Sequence, residues 1–149
     1  MSILFINGSP RKNGNTAALA AALLKGHDYQ TLNLTDYTIG AYGQALPGDG
    51  LDTVISAMQS ADTIVIGSPM YWHNICGSVR NVLDRFYGRV ADGAFSGRRL
   101  YFVFQGGAPE KWMLEAGEYT MQRFAALYGM RYGGTVTNRS DAAGLNKTI

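Results

Sequence analysis

The sequence of 149 residues lacks the features of several protein classes. Its one cysteine, Cys76, cannot form an internal disulfide or a cysteine-cluster metal site. No apolar run approaches the roughly 18 residues of a membrane span, and the N-terminal run ends after Ile6, too early for a secretory signal. The net charge of +2, without a basic run, does not indicate a nucleic-acid surface. We therefore expect a cytoplasmic protein without metal, membrane or nucleic-acid partners.

The composition is that of a folded chain. Hydrophobic residues make up 46% of the sequence and charged residues 16%, whereas disordered chains combine low hydrophobicity with high net charge. The length predicts one domain spanning residues 1–149.

Short apolar runs alternate with segments of helical periodicity. The apolar runs predict strands at Ser2–Asn7, Tyr29–Leu34, Thr63–Ile66, Leu100–Phe104 and Tyr132–Thr137. The periodic segments predict helices at Thr16–Lys25 and around the apolar faces that begin at Leu51, Val79 and Met121. Because the runs are apolar throughout, both faces of the sheet should be covered. This pattern predicts an α/β fold: a flavodoxin-like, doubly wound, five-stranded parallel sheet in the order 2-1-3-4-5.

The last helix of this fold is predicted to be short or missing. Right-handed crossovers place the first helix on one face of the sheet and the next three on the other, so a fifth should return to the first face. Only twelve polar residues follow Thr137. We expect that face to be under-covered, with either a partner subunit or a shifted helix or loop completing it.

The loop after the first strand, Asn7–Thr16, is rich in hydrogen-bond donors. It contains two glycines, the hydroxyls of Ser9 and Thr16, and the cation of Arg11. A helix N-terminus adds free N–H groups and a positive dipole end, which together favour a phosphate. The plain alternative is an ordinary strand–helix turn capped by Asn or Thr.

Standard nucleotide motifs fit this loop poorly. Ser9 stands where a P-loop begins with glycine, and Asn15 stands where its lysine belongs. A G-x-G-x-x-G fingerprint is also missing here. The loop therefore favours a terminal monophosphate over a triphosphate or a dinucleotide pyrophosphate.

The loop after the third strand, residues 67–77, is apolar and aromatic. Pro69–Trp72 would be unfavourably exposed unless a ligand or subunit covered it, and a flat aromatic ligand would stack there. A core cluster or a dimer contact explains Trp72 equally well. His73 is either a proton donor or cation near a ligand or, as we favour, a solvent-facing loop residue, and Cys76 is most simply a packing residue.

The loop after the fourth strand contains the adjacent glycines Gly106 and Gly107. Two glycines after a buried strand permit close approach of a ligand to the backbone, although a simple turn explains them almost as well. The position of this loop at the same sheet edge as the other two adds weight to the first interpretation.

Three segments together resemble a known family. Asn7–Arg11 with Gly14–Thr16, then Gly67–Trp72, then Asp84–Arg85 are similar to the flavodoxin-like NAD(P)H-dependent FMN reductases and their quinone- and azo-reductase relatives. The resemblance covers roughly residues 3–137.

The resemblance implies a cofactor, a reaction and a set of binding residues. FMN would carry electrons from NAD(P)H to a small acceptor such as a quinone, an azo compound or a flavin. The resemblance implies no catalytic acid, base or nucleophile, and it implies a homodimer or higher oligomer. The residues that would bind FMN are Ser9, Arg11, Asn13, Asn15 and Thr16 around the phosphate, and Pro69, Met70, Tyr71, Trp72, Asn74, Gly106 and Gly107 around the ring.

The sequence departs from the family pattern in two places. Related iron–sulfur flavoproteins carry a cysteine cluster after the second strand, but residues 36–43 contain none, which excludes an iron–sulfur cluster there. The chain also ends earlier than is usual in the family, which puts the usual dimer geometry in question.

Other functions of the same fold remain open. A flavodoxin-type electron carrier without its own substrate turnover is the main alternative, but such carriers are usually strongly acidic and this chain is not. A phospho-receiver module needs an aspartate at the end of the third strand, where Ile66–Pro69 offers none. A member of the fold that has lost its flavin and only binds a partner is the third possibility.

Overall fold

A computed structural model describes all residues from Met1 to Ile149. The strands are β1 (Ile3–Asn7), β2 (Gln30–Asn33), β3 (Thr63–Tyr71), β4 (Asn74–Ile75), β5 (Arg99–Gln105) and β6 (Arg131–Val136). The helices are α1 (Asn15–Leu23), α2 (Leu51–Gln59), α3 (Gly77–Arg85), α4 (Lys111–Leu127) and α5 (Arg139–Asn146). None of them has the length and apolar character that crossing a membrane requires.

Five strands form a parallel sheet in the order β2-β1-β3-β5-β6. This is the predicted order 2-1-3-4-5, because the additional strand β4 is only two residues long and pairs antiparallel with the end of β3. The flavodoxin-like fold is therefore confirmed. The direction of winding reverses between β1 and β3, and the ligands of such folds bind outside the carboxyl ends of the strands at this point.

Helices cover both faces of the sheet as the crossover rule requires. On one face, α2, α3 and α4 bury a large core against alternate residues of the strands, such as Leu4, Ile64 and Phe102. On the other face, α1 and α5 enclose a smaller core that includes Phe5 and Tyr101. Burial on both faces explains why the strands are continuously apolar instead of alternating.

The face that we expected to be under-covered is covered by α5. This helix has eight residues, so the prediction of a short last helix is confirmed, but the expected gap is wrong. Asn138 caps the helix by accepting from the Asp141 N–H at 2.9 Å, and Ala142 is fully buried. Asn146 donates to the Leu23 carbonyl at 2.7 Å, which joins α5 to the end of α1. A segment with few apolar residues suffices because α1 already covers most of this face.

The strand β3 extends further than the sequence predicted. We expected a strand at Thr63–Ile66 followed by a loop, but β3 continues to Tyr71 and turns back through Trp72 and His73 into β4. Both turn residues have positive φ, 46° for Trp72 and 65° for His73. The segment is thus a β-hairpin that projects from the ligand-binding edge of the sheet.

Candidate functional site

The loop after β1 packs tightly against β3 at the carboxyl edge of the sheet. The Gly8 N–H donates to the Gly67 carbonyl at 2.8 Å. A Cβ atom at Gly8 would lie 2.3 Å from Val79 in α3, and one at Gly67 would lie 2.7 Å from Thr16 in α1. These two glycines are needed because no side chain fits between the backbone here and the helices beside it.

Asn7, at the end of β1, organises the segment that follows it. Its side chain is fully buried. Its Oδ1 accepts from the Ser9 N–H at 3.1 Å, and its Nδ2 donates to Asn33 Oδ1 at 3.1 Å and to the Arg11 carbonyl at 3.4 Å. Asn7 is not among the site residues predicted from the sequence, although a polar residue at the end of a buried strand is a signal for one. We call residues 7–16 the donor loop.

Two buried hydroxyl groups of the donor loop accept hydrogen bonds from other parts of the protein. Ser9 Oγ accepts from the Arg11 N–H at 3.1 Å, and Thr16 Oγ1 accepts from Gln105 Nε2 at 3.2 Å. Ser9 is 6% exposed and Thr16 is 0% exposed. Neither hydroxyl hydrogen has an acceptor in the protein, but only Ser9 retains an exposed surface through which an anion could reach it.

The positive charge of Arg11 is not neutralised by the protein. Arg11 is exposed and forms no ion pair, whereas its neighbour Lys12 contacts Asp36 at 2.6 Å. No side chain caps the N-terminus of α1, which begins after Gly14. Asn13 and Asn15 are exposed beside it. The donor set of this loop fits a phosphate, which accepts hydrogen bonds and carries negative charge.

The residues predicted to contact a flat ring differ in exposure. Pro69 is buried in the sheet, and Met70 is half-buried against the core and Gly106, where an added Cβ would lie 3.0 Å from Met70. Tyr71 is 50% exposed and Trp72 is 95% exposed. The four residues therefore make a shelf whose inner half is packed and whose outer half projects into solvent.

Short hydrogen bonds anchor the base of this hairpin. Ser68 Oγ donates to the Pro69 carbonyl at 2.7 Å and accepts from the Cys76 N–H at 2.9 Å. Ser78 Oγ donates to the Gly8 carbonyl at 2.8 Å, which ties the start of α3 to the donor loop. Cys76 is 2% exposed, which confirms it as a packing residue.

The tip of the hairpin, residues 71–74, contacts the start of α4. His73, which is exposed as expected, lies with its ring 5.8 Å from that of Trp112, edge to face. Trp112 Nε1 donates to Glu110 Oε2 at 2.9 Å, and Trp112 is 53% exposed. The side chain of Asn74 instead folds back on the hairpin and accepts from the Ile75 N–H at 2.8 Å. Trp112 is a second residue that the sequence analysis missed, because helical periodicity alone does not show which residue of α4 meets the hairpin.

The turn at the hairpin tip is conformationally costly. Two-residue turns with positive φ at both positions favour Asn-Gly, but here they hold Trp72 and His73. A left-handed conformation costs about 1–2 kcal/mol for each non-glycine residue. Strain of this kind is often kept where it positions side chains for function.

The outer half of the shelf is an open surface, because Tyr71 and Trp72 are largely exposed. Gly107 is itself exposed. A ring stacked on the shelf would therefore keep one face open to a second molecule.

Asp84 and Arg85, which contributed to the family resemblance, lie away from the three loops at the far end of α3. Asp84 accepts from Arg80 at 3.1 Å, and Arg85 pairs with Asp49 at 2.7 Å. The Arg85 hydrogen bond, helped by the N–H groups of Gly40 and Leu51, lowers the pKa of Asp49 to about 2. This pair connects the segment after β2 to α3, which is a structural role.

The fold defines a flavodoxin-like protein with a loop rich in hydrogen-bond donors at the point where the strand order reverses. Residues 1–141 match the family of NADPH-dependent FMN reductases, and the chain belongs to that family. Membership supports FMN as the cofactor and NAD(P)H as the electron donor.

Three relatives illustrate the comparison. An iron–sulfur flavoprotein of Archaeoglobus fulgidus is 37% identical over 98 residues, which are 57% of this chain and 48% of that protein, so this chain spans about half its length. Bacillus subtilis YwqN, named as an NAD(P)H-dependent FMN-containing oxidoreductase, is 26% identical over 97% of this chain and 88% of that protein. The solved structure of the Trp repressor binding protein from Bacillus subtilis has a TM-score of 0.79 at 24% identity, covering 97% of this chain and 98% of that chain, and shows the shared fold.

Proposed function

We propose that this chain folds as one domain that binds FMN and transfers electrons from NAD(P)H to a small acceptor: a quinone, an azo compound or a flavin. One observation carries the proposal: the donor loop presents the unpartnered hydroxyl hydrogen of Ser9 and an unneutralised arginine beside the uncapped start of α1. This set matches the terminal phosphate of FMN in charge and in hydrogen-bonding character.

The donor loop binds the phosphate in this proposal. Ser9 donates its hydroxyl hydrogen, Thr16 contributes from the first turn of α1, and Arg11 supplies the opposing charge. Asn13 and Asn15, both exposed at the mouth of the loop, add amide donors from the solvent side. Asn7 holds the backbone of the loop in the conformation that these contacts require.

The hairpin and the third loop hold the ring. Pro69 and Met70 form the packed floor, and Tyr71 and Trp72 form the outer wall. Gly106 and Gly107 allow the third loop to approach, and Asn74 rigidifies the hairpin through its own backbone. When bound, FMN supplies the redox chemistry, so we assign no acid, base or nucleophile to the protein.

A homodimer or higher oligomer belongs to the proposal on the strength of the family resemblance. The sheet does not add support for an oligomer, since α5 covers the face that was expected to be uncovered. Sedimentation of the FMN-loaded protein tests it, and a sedimenting mass near the 16.1 kDa of one chain contradicts it.

Titration with FMN and with riboflavin tests the binding site. Riboflavin has the ring without the phosphate, so FMN should bind about 10- to 100-fold more tightly if charged hydrogen bonds hold the phosphate. Equal affinities for the two ligands would contradict the assignment of the donor loop, and binding of neither would favour the flavin-free alternative.

Measuring the steady oxidation of NAD(P)H distinguishes an enzyme from a flavodoxin-type electron carrier. The open shelf, with the aromatic side chains of Tyr71, Trp72 and Trp112 exposed around it, favours direct access of small aromatic molecules. We expect the FMN-loaded protein to oxidise NADH or NADPH steadily with at least one of a quinone, an azo dye and free FMN. Absence of turnover with all three, together with efficient one-electron exchange with a partner protein, would favour the carrier.

A further inference from the structure

The hairpin tip, residues 71–74, is connected to the rest of the fold through one aromatic contact. The ring of His73 lies 5.8 Å from that of Trp112, at an interplanar angle of 74°. Trp72 is 95% exposed and packs against almost nothing, and the side chain of Asn74 bonds only within the hairpin. The pair of His73 and Trp112 is therefore the side-chain contact that holds the tip against another element.

The backbone of the tip needs such a contact. Trp72 and His73 both have positive φ, a conformation that is unfavourable for residues with a side chain. A strained turn persists only where its surroundings hold it. The base of the hairpin is held separately by Ser68, whose Oγ forms backbone hydrogen bonds of 2.7 and 2.9 Å. The tip can therefore change conformation without unfolding the base.

Trp112 is held more firmly than the tip that it contacts. It lies in the first turn of α4, a helix of 17 residues, and its neighbour Met113 is buried. Its Nε1 donates to Glu110 Oε2 at 2.9 Å, which fixes the direction of the indole ring. The helix thus presents a fixed aromatic ring to a strained and otherwise exposed turn.

We propose that Trp112 is a positioning residue for ring recognition: through His73, it holds the hairpin tip in the conformation that presents Tyr71 and Trp72 to the flavin ring. This inference rests on the proposed function. Trp112 does not contact the ring in this scheme. It lowers the cost of ordering the tip when a ring binds, because the tip is already ordered.

Limited proteolysis of the ligand-free protein tests the role of Trp112 without a flavin. Chymotrypsin cleaves after aromatic residues and needs a locally opened segment, so cleavage after Tyr71 or Trp72 reports how often the tip opens. Trp112→Leu should raise this rate about two- to tenfold, with cleavage after Tyr42 as the internal reference. Tyr119→Leu, at another exposed aromatic residue of α4, is the matched control and should change neither rate.

Flavin titrations test the consequence for binding. Trp112→Leu should weaken FMN and riboflavin by the same factor, about two- to tenfold, because the phosphate is not involved. Trp112→Phe keeps an aromatic ring for His73 and should restore most of the affinity, whereas a role in general stability predicts no such rescue. Tyr119→Leu should leave both affinities unchanged. Far-UV circular dichroism checks the fold of each variant.

A double-mutant cycle with His73→Ala tests whether Trp112 acts through His73. His73→Ala alone should reproduce the loss of riboflavin affinity, and Trp112→Leu should add little in that background. If Trp112→Leu does not fold, His73→Ala and Trp112→Phe decide the question. Full additivity, or unchanged proteolysis and affinity in Trp112→Leu, would overturn the inference.

The wild-type protein separates this inference from the proposed function. If wild type binds neither FMN nor riboflavin, the proposed function fails and the role of Trp112 fails with it. If wild type binds both flavins and Trp112→Leu binds them equally well, only the role of Trp112 fails.

Discussion

The donor loop and the hairpin tip are two halves of one candidate site, and they are built in opposite ways. The donor loop is polar, and its backbone N–H groups donate hydrogen bonds to Asn7 Oδ1 and Ser9 Oγ. The hairpin tip is aromatic, with Trp72 at 95% exposure and a backbone of positive φ. The first half has its binding groups oriented before a ligand arrives, whereas the second exposes apolar surface that a ligand would cover.

This difference follows from the chemistry that each half must recognise. Hydrogen bonds to an anion depend on direction, so their donors gain from a rigid setting. Stacking on a ring tolerates small displacements and depends mainly on apolar area. Substitutions in the donor loop should therefore change the free energy of unfolding and the affinity for the phosphate. Substitutions at the hairpin tip should change the affinity for the ring.

Of the substitutions considered, Asn7→Ala in the donor loop should lower the free energy of unfolding the most. It leaves the Ser9 N–H and nearby carbonyls of the buried loop without partners, so the free energy of unfolding should fall by about 2–3 kcal/mol. Urea denaturation measures the change. Asn33→Ala, which removes only the Asn7–Asn33 bond at 3.1 Å, is the control and should cost about 1 kcal/mol. Equal losses would show that Asn7 does not organise the loop.

Arg11→Ala should separate binding from stability. The guanidinium is exposed and unpaired, so unfolding should change by less than about 0.5 kcal/mol. FMN binding should weaken by about 1.5–3 kcal/mol, the range for hydrogen bonds to charged groups, with riboflavin binding unchanged. Isothermal titration measures both ligands. Lys12→Ala, whose ammonium is already paired with Asp36, should have a smaller effect, and equal FMN dissociation constants in wild type and Arg11→Ala would remove Arg11 from the site.

Arg85 sharpens the comparison, because its charge, unlike that of Arg11, is neutralised within the protein. Asp49→Asn should lower stability by about 1 kcal/mol without changing FMN affinity, since the pair retains side-chain exposures of 15–19%. The folded-state pKa of Asp49 is lowered from 3.8 to about 2, so its stabilisation is complete above the unfolded pKa and is lost as the pH falls toward 2. Denaturation midpoints of wild type and variant should therefore converge below about pH 4, and a constant gap down to pH 2 would contradict this account.

Trp72→Gly should have the smallest effect on stability and the opposite sign. Glycine accepts the positive φ of 46°, and Trp72 has almost no packing to lose, so unfolding should require about 0.5–1 kcal/mol more free energy. Riboflavin affinity should fall because the outer wall of the shelf is gone. Trp72→Ala loses the same wall but keeps the strain, so it should weaken riboflavin binding without the gain in thermal stability. Unchanged riboflavin affinity in both variants would remove Trp72 from the ring site.

Much of the architecture could be read from local patterns. The continuous apolar runs such as Leu100–Phe104 predicted buried parallel strands, and Leu51, Val54, Ile55 and Met58 predicted one face of α2. Coverage of the second sheet face by α5 could not be predicted from the sequence, because the last twelve residues bury only Ala142 fully and Leu145 and Ile149 partly, which is too few for a helical periodicity. The hairpin was missed because Trp72-His73 lacks the Asn-Gly or Asp-Gly signature of such turns.

The sequence by itself determined the class of fold, the sheet order and the three loops that carry the candidate site, because periodicity and strand–helix alternation are local properties of the chain. Only the tertiary structure decided which polar atoms of those loops are already partnered. The hydrogen bond between Gln105 and Thr16 and the contact of His73 with Trp112 join residues that are distant in the sequence, and the organisation of the donor loop by Asn7 depends on burial. Hydrogen-bond polarity depends on distances between such atoms, and no pattern along the chain records those distances.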